Sequence, residues 1–257
     1  MEKNSKLIEI FHFSFLEQLL RISDLRLYVL KGGVNLRFFF HSPRYSEDMD
    51  MDVFESSVQT LKKNGYKVLK DRSFIRRLRT FGIEGLDVND PAKGKHTETT
   101  QRFRLGLLTP AGERLSTKVE FSRRNKSKKN PKEILTELID SEIAYRYNRR
   151  SYRCQHYCGP KAVLQKIQAL AGRPLTQARD VFDLYQLTLA GHTQNLKIKN
   201  VIPKEVLQKA QENTLALQFD DFKGQVLEFL EEAHVKNYKN KEIWSEIQEN
   251  ILNLLGV

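Results

Sequence analysis

The chain of 257 residues has no uninterrupted apolar run near the roughly 20 residues a membrane helix needs; runs such as Phe38–Phe40 and Leu215–Leu217 are short, which excludes a helical membrane-spanning protein. Cysteine is scarce too. Only Cys154 and Cys158 are present, so no disulfide framework is available. They flank His156 as Cys-x-His-x-Cys, but no second ligand pair accompanies them, and they read as ordinary reduced residues on a strand. The amino-terminal stretch carries Glu2, Glu9 and Glu17 where a signal core would lie and has no small-residue cleavage site, so the expected compartment is the cytoplasm. Internal repeats and low-complexity tails are absent. Acid is in short supply: 32 Asp and Glu against 43 Lys and Arg leave a formal charge of +11, which favours a polyanionic partner, nucleic acid first. Against these absences, 40% of the residues are hydrophobic, enough to build a core and to exclude disorder throughout.

Periodicity organises the first half as mixed α and β. Lys6–Arg21 has the i, i+3, i+4 rhythm of an amphipathic helix. Asp24–Leu30 reads as a strand stopped by Gly32-Gly33, with a helix resuming over Val34–Phe40. Residues 56–65 suggest a crossover helix, Tyr66–Leu69 a strand, and Gly82–Glu98 a loop. Arg102–Leu108 and Leu115–Ser122 form two strands of a hairpin, joined through Pro110 and Gly112. From Pro131 onward the texture turns helical, with helices expected at 162–171, 178–189, 203–211, 219–233 and 242–255. A boundary near 130–150 divides the chain into residues 1–140 and 141–257.

The sharpest chemical feature is Asp48-Met-Asp-Met-Asp52. Period-two alternation throws its carboxylates to one face of a strand, about 7 Å apart along the chain. Such a row repels itself, and it makes sense either at a Mg²⁺ or Mn²⁺ site or as a solvent-facing acidic strand. Upstream, Lys31-Gly-Gly33 stands between strand and helix, where glycine lets a phosphate approach the free N–H groups of a helix start. Downstream, Glu120 lies on the second hairpin strand, able to come beside the first acids. Asp52 shares their face, and its role is left open: beside the other acids or turned to solvent beyond them.

Taken together, the glycine turn, the Ser-x-Asp-x-Asp row and the later strand acid resemble the DNA polymerase β-like nucleotidyltransferase superfamily. More narrowly, Lys31-Gly-Gly-Val-Asn-Leu-Arg37, Pro43-Arg-Tyr-Ser-Glu-Asp-Met-Asp-Met-Asp52 and Lys118-Val-Glu120 are similar to the AbiEii/MenT group of nucleotidyltransferase toxins. The likeness continues through Gln165–Arg173 and Ala178–Tyr185, a lysine and arginine on one helix and Arg-Asp-x-x-Asp on the next. The resemblance implies an α+β fold, a polymerase β-like mixed sheet flanked by helices, followed by a mainly helical domain that completes the nucleotide and acceptor site. It implies transfer of a nucleoside monophosphate from an NTP to a hydroxyl with the help of two Mg²⁺ or Mn²⁺ ions held by Asp48, Asp50 and Glu120. Gly32, Gly33, Ser46 and Arg37 would bind the nucleotide. Lys166 would contact the triphosphate, oriented by Asp180; the alternative for these two, open on helical spacing alone, is a set of ion pairs joining Lys166 or Arg173 to Asp180 or Asp183.

The implied acceptor is RNA, foremost the tRNA 3′ end, because related toxins modify it. The implied regulator is a cognate antitoxin protein. The basic run Arg123, Arg124, Lys126, Lys128 and Lys129 leaves the Glu120 strand and could track a phosphate backbone. Two other functions remain compatible with the sequence: a nucleic-acid-binding module on a decayed transferase scaffold, and a transferase acting on a protein or small molecule.

Overall fold

The computed structural model describes residues 2–90, 94, 96–124 and 129–256. It divides into two compact units, one spanning residues 3–39 and 45–157, the other built from 40–44 and 158–257 with the first residues of the chain. The first contains α1 (Glu2–Ile22), β1 (Tyr28–Lys31), α2 (Gly32–Phe39), β2 (Asp48–Val53), α3 (Val58–Leu69), α4 (Arg72–Arg79), β3 (Gly85–Val88), β4 (Thr100–Leu108), β5 (Arg114–Arg123), β6 (Ile134–Leu138), α5 (Ser141–Arg146) and β7 (Arg153–Tyr157). Its seven strands form one mixed sheet in the order β3-β4-β5-β2-β1-β7-β6. The division falls after Tyr157, later than the change of texture in the sequence, because β6 and β7 belong to the sheet.

One face of the sheet carries the core. Met49 and Met51 of β2, Phe103 and Leu105 of β4, and Val119 and Phe121 of β5 are all buried there with Phe11, Phe15 and Leu19 of α1. The alternation of β2 therefore works as the sequence suggests, apolar residues to the core and acids to the other face. The β4–β5 hairpin is also as expected, pairing Arg102 with Glu120 and Arg104 with Lys118.

Three expectations are corrected. Tyr66–Leu69 is the end of α3, not a strand: Leu61, Gly65, Val68 and Leu69 recur at helical spacing and are buried together. Gly65, which looks like a breaker, is there for close packing, since a Cβ at that position would lie 2.3 Å from Phe103 Cζ. Gly65→Ala is accordingly expected to destabilise the sheet unit by about 1–3 kcal/mol, despite alanine's better helix propensity. Urea denaturation followed by circular dichroism measures it, and an unchanged midpoint would show that the Phe103 ring can move aside. Secondly, residues 82–98 are not all loop, as β3 pairs antiparallel with β4. Thirdly, the chain after Pro131 first returns to the sheet, β7 running parallel to β1 and β6 antiparallel to β7, before the helices begin.

The second unit is helical: α6 (Gly159–Gly172), α7 (Ala178–Leu189), α8 (Ile198–Val201), α9 (Lys204–Ala216), α10 (Phe219–Gln225), α11 (Glu232–Tyr238) and α12 (Lys241–Leu255). Pro160 sits in the first turn of α6, where a missing N–H costs nothing. The single helix expected over 219–233 is two short helices separated by a 3₁₀ turn at Leu227–Phe229. Phe182, Phe222 and Trp244 pack as an aromatic centre for this unit. Among the described residues no helix is long and apolar enough to cross a membrane.

Candidate active site

The polar face of the sheet is built around β2. Its neighbours are β1, antiparallel, with Lys31 opposite Asp50, and β5, parallel, with Asp48, Asp50 and Asp52 opposite Lys118, Glu120 and Ser122. Strand adjacency therefore brings Glu120 to the same rung as Asp50, about 4.8 Å away between backbones. Gly32 closes the group from the β1–α2 junction. Its φ of +67° suits a residue without a side chain, and a Cβ there would stand 3.5 Å from Asp50 Oδ2. The first N–H groups of α2 thus start beside the acid row.

The three acids differ in their partners. Lys118 Nζ donates to Asp48 Oδ2 at 2.6 Å, and Arg102 Nε donates to Glu120 Oε2 at 2.6 Å. Asp50 has no hydrogen bond or ion pair with any described side chain. Burial pushes its carboxyl above the usual range; the charges of Lys118 and Lys31 oppose that rise, while Glu120 and Asp48 add to it. A half-buried carboxylate with carboxylate neighbours and no direct counter-ion is a group suited to a cation. Among the described residues, however, no three His, Cys, Asp or Glu side chains stand close enough to ligate one ion. The donor chemistry fits a hard divalent ion, all carboxylate oxygen on adjacent strands; the side chains of Asp48 and Glu120 are turned to Lys118 and Arg102 instead. A cleft of about 310 Å³ opens beside Asp48 and Lys118, lined also by Arg104, Arg114 and Asn89.

Asp52 does not point to solvent. It is buried, receives Lys31 Nζ at 2.5 Å, Arg124 at 3.0 Å and the Tyr157 hydroxyl at 2.7 Å. Burial works to raise its pKa, but Lys31 and Arg124 outweigh that and hold it below the ordinary carboxylate range. Its partners make it an anchor between β2, β1 and β7. Ser46 donates its hydroxyl to the Asp48 carbonyl at 2.9 Å, steadying the entry to β2. Arg37, expected at the nucleotide, is buried on α2, ion-paired to Glu9 and stacked 4.6 Å from the Tyr45 ring.

Of the basic run, Arg123 donates to the Ser56 and Glu98 carbonyls, Arg124 is held by Asp52, and Lys129 donates to the Arg26 carbonyl and to Gln155. Lys126 and Lys128 lie outside the described residues.

In the helical unit three of the four ion pairs that helical spacing left open are formed. Lys166 Nζ on α6 reaches Asp180 at 2.9 Å and Asp183 at 2.5 Å on α7, and Arg173 Nε reaches Asp180 at 2.7 Å. Arg44 completes the group by donating to both oxygens of Asp183, at 3.2 and 3.0 Å. Burial would raise the Asp183 carboxyl, yet Arg44 and Lys166 bring it down to about 2. Lys118, Arg102 and Arg44 were not expected at these acids; period-two alternation puts Lys118 and Arg102 on the acid face, whereas the Arg44–Asp183 pair spans 139 positions and leaves no local signal.

No curated protein sequence matches the chain. Among solved structures it is similar to MenT4, a nucleotidyltransferase toxin from Mycobacterium tuberculosis, at TM-score 0.59 and 16% identity, over 98% of this chain and 84% of that one. It is also similar to JHP933 from Helicobacter pylori, at TM-score 0.52 and 18% identity, over 96% and 91% of the two chains. These likenesses establish the fold. Residues 14–251 match the family model described as nucleotidyl transferase AbiEii toxin, type IV TA system. The acid row beside a glycine-started helix is thus carried by a chain that belongs to the AbiEii family of nucleotidyltransferase toxins.

Proposed function

We propose that the protein transfers a nucleoside monophosphate from an NTP to a hydroxyl of RNA, with the tRNA 3′ end as the leading acceptor, and that a cognate antitoxin restrains it. The observation that carries this reading is Asp50: unpaired, half-buried, level with Glu120 and against the glycine bend. Asp48, Asp50 and Glu120 would hold Mg²⁺ or Mn²⁺, which supplies acidity to the acceptor hydroxyl and neutralises charge on the departing pyrophosphate. Lys118 and Arg102 neutralise Asp48 and Glu120 in the state described, so both must release those acids for an ion to enter. The free N–H groups at Gly32 and Gly33 suit phosphate oxygens, and Ser46 shapes the same approach. Arg37 serves by fixing α2 through Glu9. Lys166 is proposed for the triphosphate, as a compact point charge whose orientation Asp180 and Asp183 set. Arg123, Arg124, Lys126, Lys128 and Lys129 are proposed for the acceptor backbone next to β5.

Incubating the purified protein with each α-labelled NTP, Mg²⁺ and total RNA tests this. The expected result is label in tRNA that disappears with Asp48→Ala. Label in protein instead, RNA bound without any label, or an Asp48→Ala variant that labels as well as wild type would each overturn the reading.

A further inference from the structure

The strongest unexplained feature of the sheet unit lies on its far side. α3 and α4 pack over the apolar face, through Leu61, Val68, Leu69, Phe74 and Leu78, and so stand behind the sheet from the acid row. Between residues 58 and 80 there are eight Lys or Arg and a single acid, Asp71. Asp71 is occupied, its carboxylate accepting from the Ser73 and Phe74 N–H groups as the cap of α4.

The cations are ordered. Lys63, Lys67 and Lys70 recur at i, i+4 and i+7 along α3 and its cap, and Arg72, Arg76 and Arg79 repeat the same spacing on α4; all six are exposed. Each helix therefore presents one cationic stripe, its charges about 6 Å apart at 1.5 Å rise per residue. Lys70 also lies over the Tyr66 ring, and Arg79 is engaged with Glu84. Lys63, Lys67, Arg72 and Arg76 have no acidic partner among the described residues.

Stability does not explain the pattern. Like charges at i, i+4 oppose helix formation. The helix dipole favours Arg76 and Arg79 in the last turn of α4, but it disfavours Arg72 at the first position and is indifferent to Lys63 in the middle of α3. A solvated face would be expected to mix signs. This one has a single sign, offers no large exposed apolar side chain of the kind that seats in a lipid surface, and is richer in free cations than the 123–129 run, whose described members are all engaged.

We propose that the α3–α4 stripes are a distal docking surface for the phosphate backbone of a long, folded RNA. Resting on the RNA-acceptor reading above, this surface holds the body of the acceptor behind the sheet while its reacting end is on the acid face. A folded RNA tens of ångströms long is large enough to reach both faces of a sheet with one layer of helices packed on it, the layers being about 10 Å apart.

The test is the quadruple variant Lys63→Glu, Lys67→Glu, Arg72→Glu and Arg76→Glu, checked for folding by thermal melting. Fluorescence anisotropy with labelled tRNA should show binding at least tenfold weaker at 100 mM salt. The slope of log K against log salt should be shallower by about 3, at 0.7–0.9 per phosphate contact. With transfer assayed, KM should rise for full-length tRNA while a short acceptor-stem hairpin is labelled as before. Equal tRNA binding by variant and wild type overturns the surface but leaves the transferase reading intact. Failure of wild-type protein to bind any RNA overturns both. If the quadruple variant loses binding to vesicles of anionic phospholipid but keeps tRNA binding, the stripes belong to lipid and the proposal fails. A variant that does not fold is replaced by the four glutamine substitutions, read by the same slope.

Discussion

Asp50→Asn is expected to abolish transfer, by about a thousandfold or more, while leaving the protein as stable as before or more so in the absence of divalent ions. The loss follows from removing the carboxylate that faces Glu120 and the glycine bend; a thousandfold corresponds to about 4 kcal/mol of charge stabilisation in the transition state. The stability gain follows from burial. Because the folded protein raises the Asp50 pKa, the contribution of this group to stability is present at low pH and is lost as pH rises through the folded-state value. At neutral pH the ionised form is a liability, and asparagine removes it without changing shape. Thermal melts at pH 7.5 in EDTA, compared with turnover of a labelled NTP, separate the two effects. A melting point several degrees lower in the variant would make Asp50 a structural residue and sink the assignment.

The second large effect lies in the helical unit. Asp183→Ala leaves Arg44 and Lys166 buried and short of a carboxylate, and breaking a buried ion group in this way costs about 3–5 kcal/mol. The same group makes that unit acid-sensitive. Asp183, held at about 2 when folded and near the ordinary carboxylate value when unfolded, contributes stability that is complete above about pH 4 and lost as pH falls towards 2. Asp180, lowered in the same direction by Lys166 and Arg173 against the opposing effect of burial, adds to the loss. Urea denaturation between pH 7 and pH 2.5 should show the wild type weakening steeply and Asp183→Ala, already weak, changing less. If the variant kept the full acid dependence, the ion group would not be its source. Lys166→Met should cost less than Asp183→Ala, because Asp183 keeps Arg44 and Asp180 keeps Arg173, and melting points of the two variants compare them.

Local patterns carried the elements that depend on neighbours in sequence. The Met–Asp alternation of β2, the β4–β5 turn and the 3.6-residue rhythm of α7 are each complete within a dozen residues. The errors fell where distant residues decide. Gly65 breaks a helix on propensity and completes one only because the Phe103 ring fills the space beside it. β6 and β7 are short and partly polar, and what makes them strands is the free edge of β1. At the site, the residue types were legible and the pairings were not. Nothing local tells Asp48 that Lys118 rather than an ion lies against it, or Arg44 that Asp183 completes its fork, because register between strands and contact between helices are set by the packed whole.

The parallel pairing of β2 with β5 also bears on the order of events during synthesis. Asp48 meets β5 at a residue 70 positions later, so the acid row is made early, beside β1, but lacks Lys118 and Glu120 until the hairpin has left the ribosome. Before that moment only the pairing with β1, Lys31 opposite Asp50, holds β2 against a one-residue slip that would turn its aspartates inward and its methionines outward. The site is therefore incomplete in a growing polypeptide, and is made whole only when the chain between the two strands closes and brings Glu120 level with Asp50.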